Sequence, residues 1–247
     1  MPTHRTATAA KAGMALATAA AAIHAAPALT NVDRLRRRFL PGLAGVGDPG
    51  HVALTFDDGP DPASTPRFLE ALDRLGWRAT FFMLGRMVDR APSLAAEVVA
   101  AGHEVAVHGY AHRSEMFLVY PAISADLARA VDAISNATGH DVDWFRPPYG
   151  TLAAGGVIAA RRRRLRTVLW STWGRDWRAD ATPATVTADV VRHLGPGATV
   201  LLHDSDCTSA PGAWRSALGA LDSLAEQFEA RGLSVGPLSE HGLGRVT

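Results

Sequence analysis

Cysteine is nearly absent from this chain: Cys207 is the only one, so no disulfide can close within it and the redox compartment stays open. Lysine is as scarce, with Lys11 alone, and the formal net charge is only +1. That balance carries no signal of a nucleic-acid partner. No glycine fingerprint of a dinucleotide site follows the first strand-like run, and no His-Glu-x-x-His helix of the zinc-peptidase kind occurs. The apolar stretch near the N-terminus is too short and too weakly hydrophobic for a transmembrane span, which needs ~20 apolar residues. No internal repeat is present. What remains is a chain of 247 residues, 47% hydrophobic, long enough for one large domain with a sizeable core.

The first 49 residues read as an alanine- and arginine-rich segment followed by a linker. Arg5 and Lys11 precede an apolar stretch from about Gly13 to Ile23, and small residues follow at Ala25, Ala26 and Ala28. This is the order of parts of a signal peptide, although alanine is weakly hydrophobic and simply favours helix. Export to the cell envelope and retention in the cytoplasm both stay open. The cluster of Arg34, Arg36, Arg37 and Arg38 implies a short helix, and the Gly/Pro-rich passage from Pro41 to Gly50 a linker. In a chain whose basic charge is nearly all arginine, that cluster and the run Arg161–Arg164 read as solvated faces, with contact to an anionic surface as the alternative.

From residue 50 to 247 the punctuation alternates as in one α/β domain. Strand-like apolar runs fall at 51–56, 79–84, 103–107, 142–146, 166–171, 198–203 and 233–236. Helical periodicity fills 65–76, 92–101, 121–138, 152–163, 183–194 and 213–231, with Gly76, Gly102, Gly139 and Gly232 as stops. About seven strands alternating with helices predict a parallel sheet, and at this length a distorted (β/α) barrel. Sites in such folds form at the C-terminal ends of the strands. The polar residues ending each strand therefore matter most.

Strand one ends in Asp57-Asp58, two carboxylates whose repulsion is relieved if a cation sits between them. Strand three ends in His108-Gly-Tyr-Ala-His112, two imidazoles four residues apart that can serve one metal; with a carboxylate they make a three-ligand set that leaves a position for water. Strand four ends in Arg146-Pro147-Pro148-Tyr149, where a rigid turn can hold an arginine against a carboxylate. Strand five leads into Trp170, Trp173 and Trp177 around Asp176, a rim suited to sugar rings or to lid packing. Strand six ends in Leu202-His203-Asp204, offering a candidate general acid.

These motifs, in this order, resemble those of the NodB-type polysaccharide deacetylases (carbohydrate esterase family 4), over roughly residues 50–238. The resemblance implies a distorted (β/α) barrel and metal-dependent removal of N-acetyl, sometimes O-acetyl, groups from a glycan such as peptidoglycan or a chitin-type polymer. It implies Asp57 as general base and Asp58, His108 and His112 as ligands of a divalent metal, zinc first, with cobalt, nickel or manganese also acceptable. It further implies that Arg146 orients Asp57, that Tyr149 lends a backbone N–H to the oxyanion, and that His203 is the general acid, tuned by Asp176. Trp177 and Leu202 are expected near the acetyl pocket. Gly109 stands where the family usually has serine or threonine, so a loop-bracing hydrogen bond is expected to be missing, and Trp173 stands where an acid is often found. A small cyclic amide or imide hydrolase on the same scaffold, and a non-catalytic carbohydrate-binding protein, are the competing readings. The oligomeric state is open.

Overall fold

The computed structural model describes residues 3–243; the outermost residues of the two expected segments, 1–2 and 244–247, lie outside the described residues. Helices α1 (Thr3–Ala25) and α2 (Asp33–Phe39) precede the sheet. Then follow β1 (His51–Asp57), α3 (Thr65–Arg74), β2 (Thr80–Met83), α4 (Gly85–Arg90), α5 (Pro92–Ala100) and β3 (Glu104–Val107). The chain continues through α6 (Tyr120–Thr138), β4 (Trp144–Phe145), α7 (Ala154–Arg162), β5 (Arg166–Thr167) and β6 (Thr172–Trp173). It finishes with α8 (Pro183–Arg192), β7 (Thr199–His203), α9 (Trp214–Glu229) and β8 (Ser234–Gly236).

The strands form one sheet in the order β5-β4-β3-β2-β1-β7-β6, with β8 paired to the start of β1. Every pairing is parallel, and the sheet curls into a distorted half-barrel backed by helices. Of the expected run 166–171 only Arg166–Thr167 is strand, and β6 begins just beyond it at Thr172. The rest of the run leaves the ladder because the Leu169 N–H donates to Leu43 O and the Ser171 N–H to Thr199 O. The Gly/Pro-rich passage 41–48 is thereby anchored in the seam between β5 and β7, where Thr199 Oγ1 donates to Gly45 O (2.7 Å) and Ala44 is fully buried. By length and composition alone Gly13–Asn31 could cross a membrane, a test that a leader sequence also passes; the stretch runs past its expected end near Ile23.

Period-two alternation sorts the strand residues. Val52, Leu54, Phe56, Phe81, Met83, Val105, Val107, Val200 and Leu202 face the helices in the large core, together with the stripe Ile123, Leu127 and Ile134 of α6 and Leu221, Leu224 and Phe228 of α9. Burying each such side chain stabilises the fold by roughly 1.5–3 kcal/mol. A smaller cluster of Ala53, Phe82, Ala106, Trp144, Val168 and Leu238 lies on the opposite face, inside the barrel. Thr55 and Asp57 share that inner phase on β1, and His203 shares it on β7. Alternation thus carries polar groups up the barrel interior to its C-terminal mouth.

Candidate active site

At that mouth the chain brings together Asp57, Asp58, His108, His112, Arg146, Asp176 and His203. Arg146 is completely buried, an expensive place for a guanidinium unless its donors are all used. Nη1 donates to Asp57 Oδ1 (2.7 Å) and Thr55 Oγ1 (2.9 Å), Nη2 to Leu169 O (2.9 Å), and Nε to Val168 O (3.4 Å). The plane lies over the Phe82 ring at 4.0 Å from its centroid. Asp57 is therefore clamped by one oxygen while Oδ2 is left facing the site. The Arg146 backbone has a second use: its carbonyl accepts from His108 Nδ1 (2.8 Å), which fixes the tautomer and leaves Nε2 with its lone pair free.

The neighbouring Asp58 is held differently. Its Oδ2 accepts from Thr208 Oγ1 (2.5 Å), a contact that sequence reasoning missed because Thr208 lies in an irregular loop after β7. Its Oδ1 is buried without any hydrogen-bond partner, as is Nδ1 of His112. Facing that oxygen are His112 Nε2 at 3.4 Å and His108 Nε2 at 3.6 Å. Ligands about 2.0–2.1 Å from a tetrahedral metal stand about 3.3–3.4 Å from one another, so Asp58 Oδ1 stands near ligand spacing from each imidazole nitrogen, and all three atoms lie within 4.8 Å of one another. Burial, followed by the nearness of His108, pushes His112 down to about 4, so it is neutral at pH 7, as a ligand must be. Burial raises the pKa of Asp58, but His203, the two histidines and the Thr208 hydroxyl hold it below the ordinary carboxylate value.

Across the cleft, Asp176 grips His203 twice, accepting from its backbone N–H at Oδ2 (2.7 Å) and from Nδ1 at Oδ1 (3.0 Å). Burial opposes the imidazolium, but Asp176, with Asp58 and Asp57 further off, raises His203 to about 10. Nε2 is then the atom that carries a transferable proton. Asp204, beside it in sequence, does structural work: it is buried, accepts from Thr65 Oγ1 (2.5 Å) and the Gly59 N–H (3.1 Å), and so ties down the turn after Asp58.

Among the described residues five non-glycine residues have positive φ, and four of them line the cleft: Asp58 (83°), His112 (54°), Tyr149 (61°) and Arg175 (51°). Left-handed backbone at such residues is unfavourable, and its concentration here marks a shaped site rather than scattered turns. At Tyr149 it leaves the backbone N–H without an acceptor among the described residues, while the side chain, 62% exposed, packs edge-on against His112 at 4.4 Å. Gly109 has φ +82, and the expected missing brace is replaced: Asp126 of α6 accepts from the Tyr110 N–H (2.7 Å) and from Arg113 Nη2 (3.0 Å).

Two expectations are resolved at the rim. Trp177 stands beside His203, ring centroids 5.7 Å apart, and continues through Trp173 (4.9 Å) to Trp170 (5.5 Å) as an aromatic column. Leu202 does not reach the cleft. It is out of phase with His203 on β7, fully buried in the helix-side core, and offers no surface to a substrate. Beyond Tyr149 the cleft runs into an apolar shelf lined by His112, Leu118 and the 89%-exposed Phe117.

Residues 44–167 match the family model described as polysaccharide deacetylase. The chain is 34% identical over 198 residues to a chitooligosaccharide deacetylase of a Bradyrhizobium strain, covering 76% of this chain and 89% of that protein. It is 28% identical over 196 residues to a peptidoglycan-N-acetylglucosamine deacetylase of Bacillus cereus, covering 79% of this chain and 69% of that one. Among solved structures, a CE4 family pseudoenzyme from Bacillus anthracis superposes with a TM-score of 0.72 at 30% identity, over 81% of this chain and 67% of that chain. A scaffold that can be a pseudoenzyme puts the weight of any functional argument on the individual side chains.

Proposed function

The chain belongs to the polysaccharide deacetylase family, and from that premise we propose metal-dependent hydrolysis of N-acetyl groups on a glycan, releasing acetate and a free amino sugar. The observation that carries this reading is the buried, unpartnered Oδ1 of Asp58, faced by two imidazole nitrogens near ligand spacing. Asp58, His108 and His112 would hold a divalent cation, zinc first by the chemistry of the donor set. Such a cation, when bound, acidifies water and polarises the acetyl carbonyl. Asp57, paired with and oriented by Arg146, takes the proton of the attacking water. The unpaired Tyr149 N–H offers a donor to the developing oxyanion. His203 gives its Nε2 proton to the departing nitrogen, and Asp176 stabilises the imidazolium beforehand.

Retention of Asp57 and His203, whose buried geometry serves proton transfer, argues against a purely binding role. The half-buried aromatic column at the rim and the open shelf beside Tyr149 favour a polymer over a small cyclic amide, which a closed pocket would suit better. The test is acetate release by the zinc- or cobalt-loaded protein from N-acetylglucosamine oligomers and from peptidoglycan, with a chelated control. Release that stops on chelation is the expected result; no release from either polymer by the metal-loaded protein would refute the reading.

A further inference from the structure

A second cavity, about 410 Å³, adjoins the reacting centre at Tyr149, the residue it shares with the apolar shelf. Its size falls in the range of about 300–1,000 Å³ typical of small-ligand sites. Tyr149 forms one edge and Trp173 another, and these two side chains lead directly to His112 and, through Trp177, to His203. The far wall comes from α2, held in place by the sequence's arginine cluster. Arg36, 4% exposed, donates to Thr30 O (3.0 Å), Asp33 Oδ1 (3.0 Å) and Trp170 O (2.9 Å). Arg37 donates to Ser171 O and pairs with Asp33 Oδ2 (2.8 Å). Those two arginines are a structural clasp, not a solvated face.

Arg175 completes the cavity and is different. Its guanidinium lies 5.4 Å from the Trp173 ring centroid and has no hydrogen-bond or ion-pair partner among the described residues. Its left-handed backbone, φ 51°, sits in the turn directly before Asp176, so the catalytic acid–histidine pair and this free cation are positioned by one loop. With three guanidiniums against the single carboxylate of Asp33, the wall carries excess positive charge beside an aromatic platform. We propose that this cavity is a subsite for a carboxylate-bearing sugar adjoining the unit that loses its acetyl group, with Arg175 as the charge-selecting contact. A planar guanidinium fork matches a carboxylate, and one free cation matches one negative charge. The inference rests on the deacetylase reading and narrows its substrate to an acidic glycan over neutral chitin.

The test separates the two claims by measuring binding apart from turnover. Peptide-free peptidoglycan strands, and the same strands with their carboxylates converted to amides, are titrated against Asp57→Asn protein by tryptophan fluorescence. The charged strands are expected to bind about tenfold tighter, equivalent to about 1.4 kcal/mol, and the margin should shrink at high salt. Adding Arg175→Gln should bring the ratio near one, while Arg175→Lys should keep part of it, which a merely misfolded loop would not do. Equal affinity for charged and amidated strands, or an undiminished preference in Arg175→Gln, overturns the subsite. A preserved charge preference together with no acetate release from any polymer by the wild-type protein would instead sink the deacetylase reading and leave the subsite supported.

Discussion

Two histidine pairs stand at opposite ends of β1, and their rings are arranged almost alike. His108 and His112 have centroids 5.1 Å apart at 55°, and His51 and His241 have centroids 5.0 Å apart at 48°. Their nitrogens point to opposite uses. In the lower pair the two Nδ1 atoms bond to each other (2.8 Å), and His241 Nε2 donates to Gly197 O (3.0 Å) and Gly45 O (3.3 Å). That pair clamps the C-terminal end of the domain to the passage filling the barrel seam. In the upper pair neither ring bonds the other, and both Nε2 atoms converge on a carboxylate oxygen that has no other partner. Ring proximity therefore says little; where the lone pairs go separates a ligand set from a clamp.

The comparison breaks first at the upper pair. His108→Ala should lose metal and turnover together, whereas His241→Gln should keep both and lower the unfolding free energy by about 1–3 kcal/mol, the usual cost of an unmade buried hydrogen bond. Metal analysis, acetate release and urea unfolding of the two variants check this. Asp57→Asn separates chemistry from metal: turnover should fall about 10²–10⁴-fold, the range for a general base, with metal content unchanged. Near-normal activity in that variant would reverse the roles given to the two aspartates.

A third effect sharpens the contrast across the cleft. In Asp176→Asn the carboxylate that raises His203 against the penalty of burial is gone, so the alkaline limb of the pH–rate profile should move to lower pH. The smallest effect belongs to the lower pair. Burial first, and then the nearness of His51, hold His241 at about 4; burial also holds His51 below its ordinary value, against the raising pull of Glu240 and Asp48. Below pH 6.5 the unfolded chain binds protons that the folded chain refuses, so this stabilisation is complete above 6.5 and is lost as pH falls towards 4. His103, also held at about 4, adds to the same slope. Unfolding midpoints between pH 7.5 and 4.5 should therefore fall less steeply in His241→Gln than in the wild type.

Much of this was legible in the sequence. Strand and helix runs fell where expected because their apolar periodicity and glycine stops are local signals, and the polar strand ends located the cleft. Two of the misses were non-local. His51 and His241 are separated by 190 positions and no motif joins them. The break in 166–171 comes from Leu43, far upstream, taking the ladder's hydrogen bond. Helix α4 spans only Gly85–Arg90, too short to show a period. Leu202 is different: alternation from His203 turns it towards the helices, so adjacency in sequence to a site residue does not place it in the site.

The most direct measurement is titration of the metal-free protein with cobalt(II), followed through its visible absorption, in the wild type, His108→Ala and His241→Gln. One ion per chain in the wild type and in His241→Gln, with binding lost in His108→Ala, is the result this account predicts. Unchanged stoichiometry and affinity in His108→Ala would contradict it.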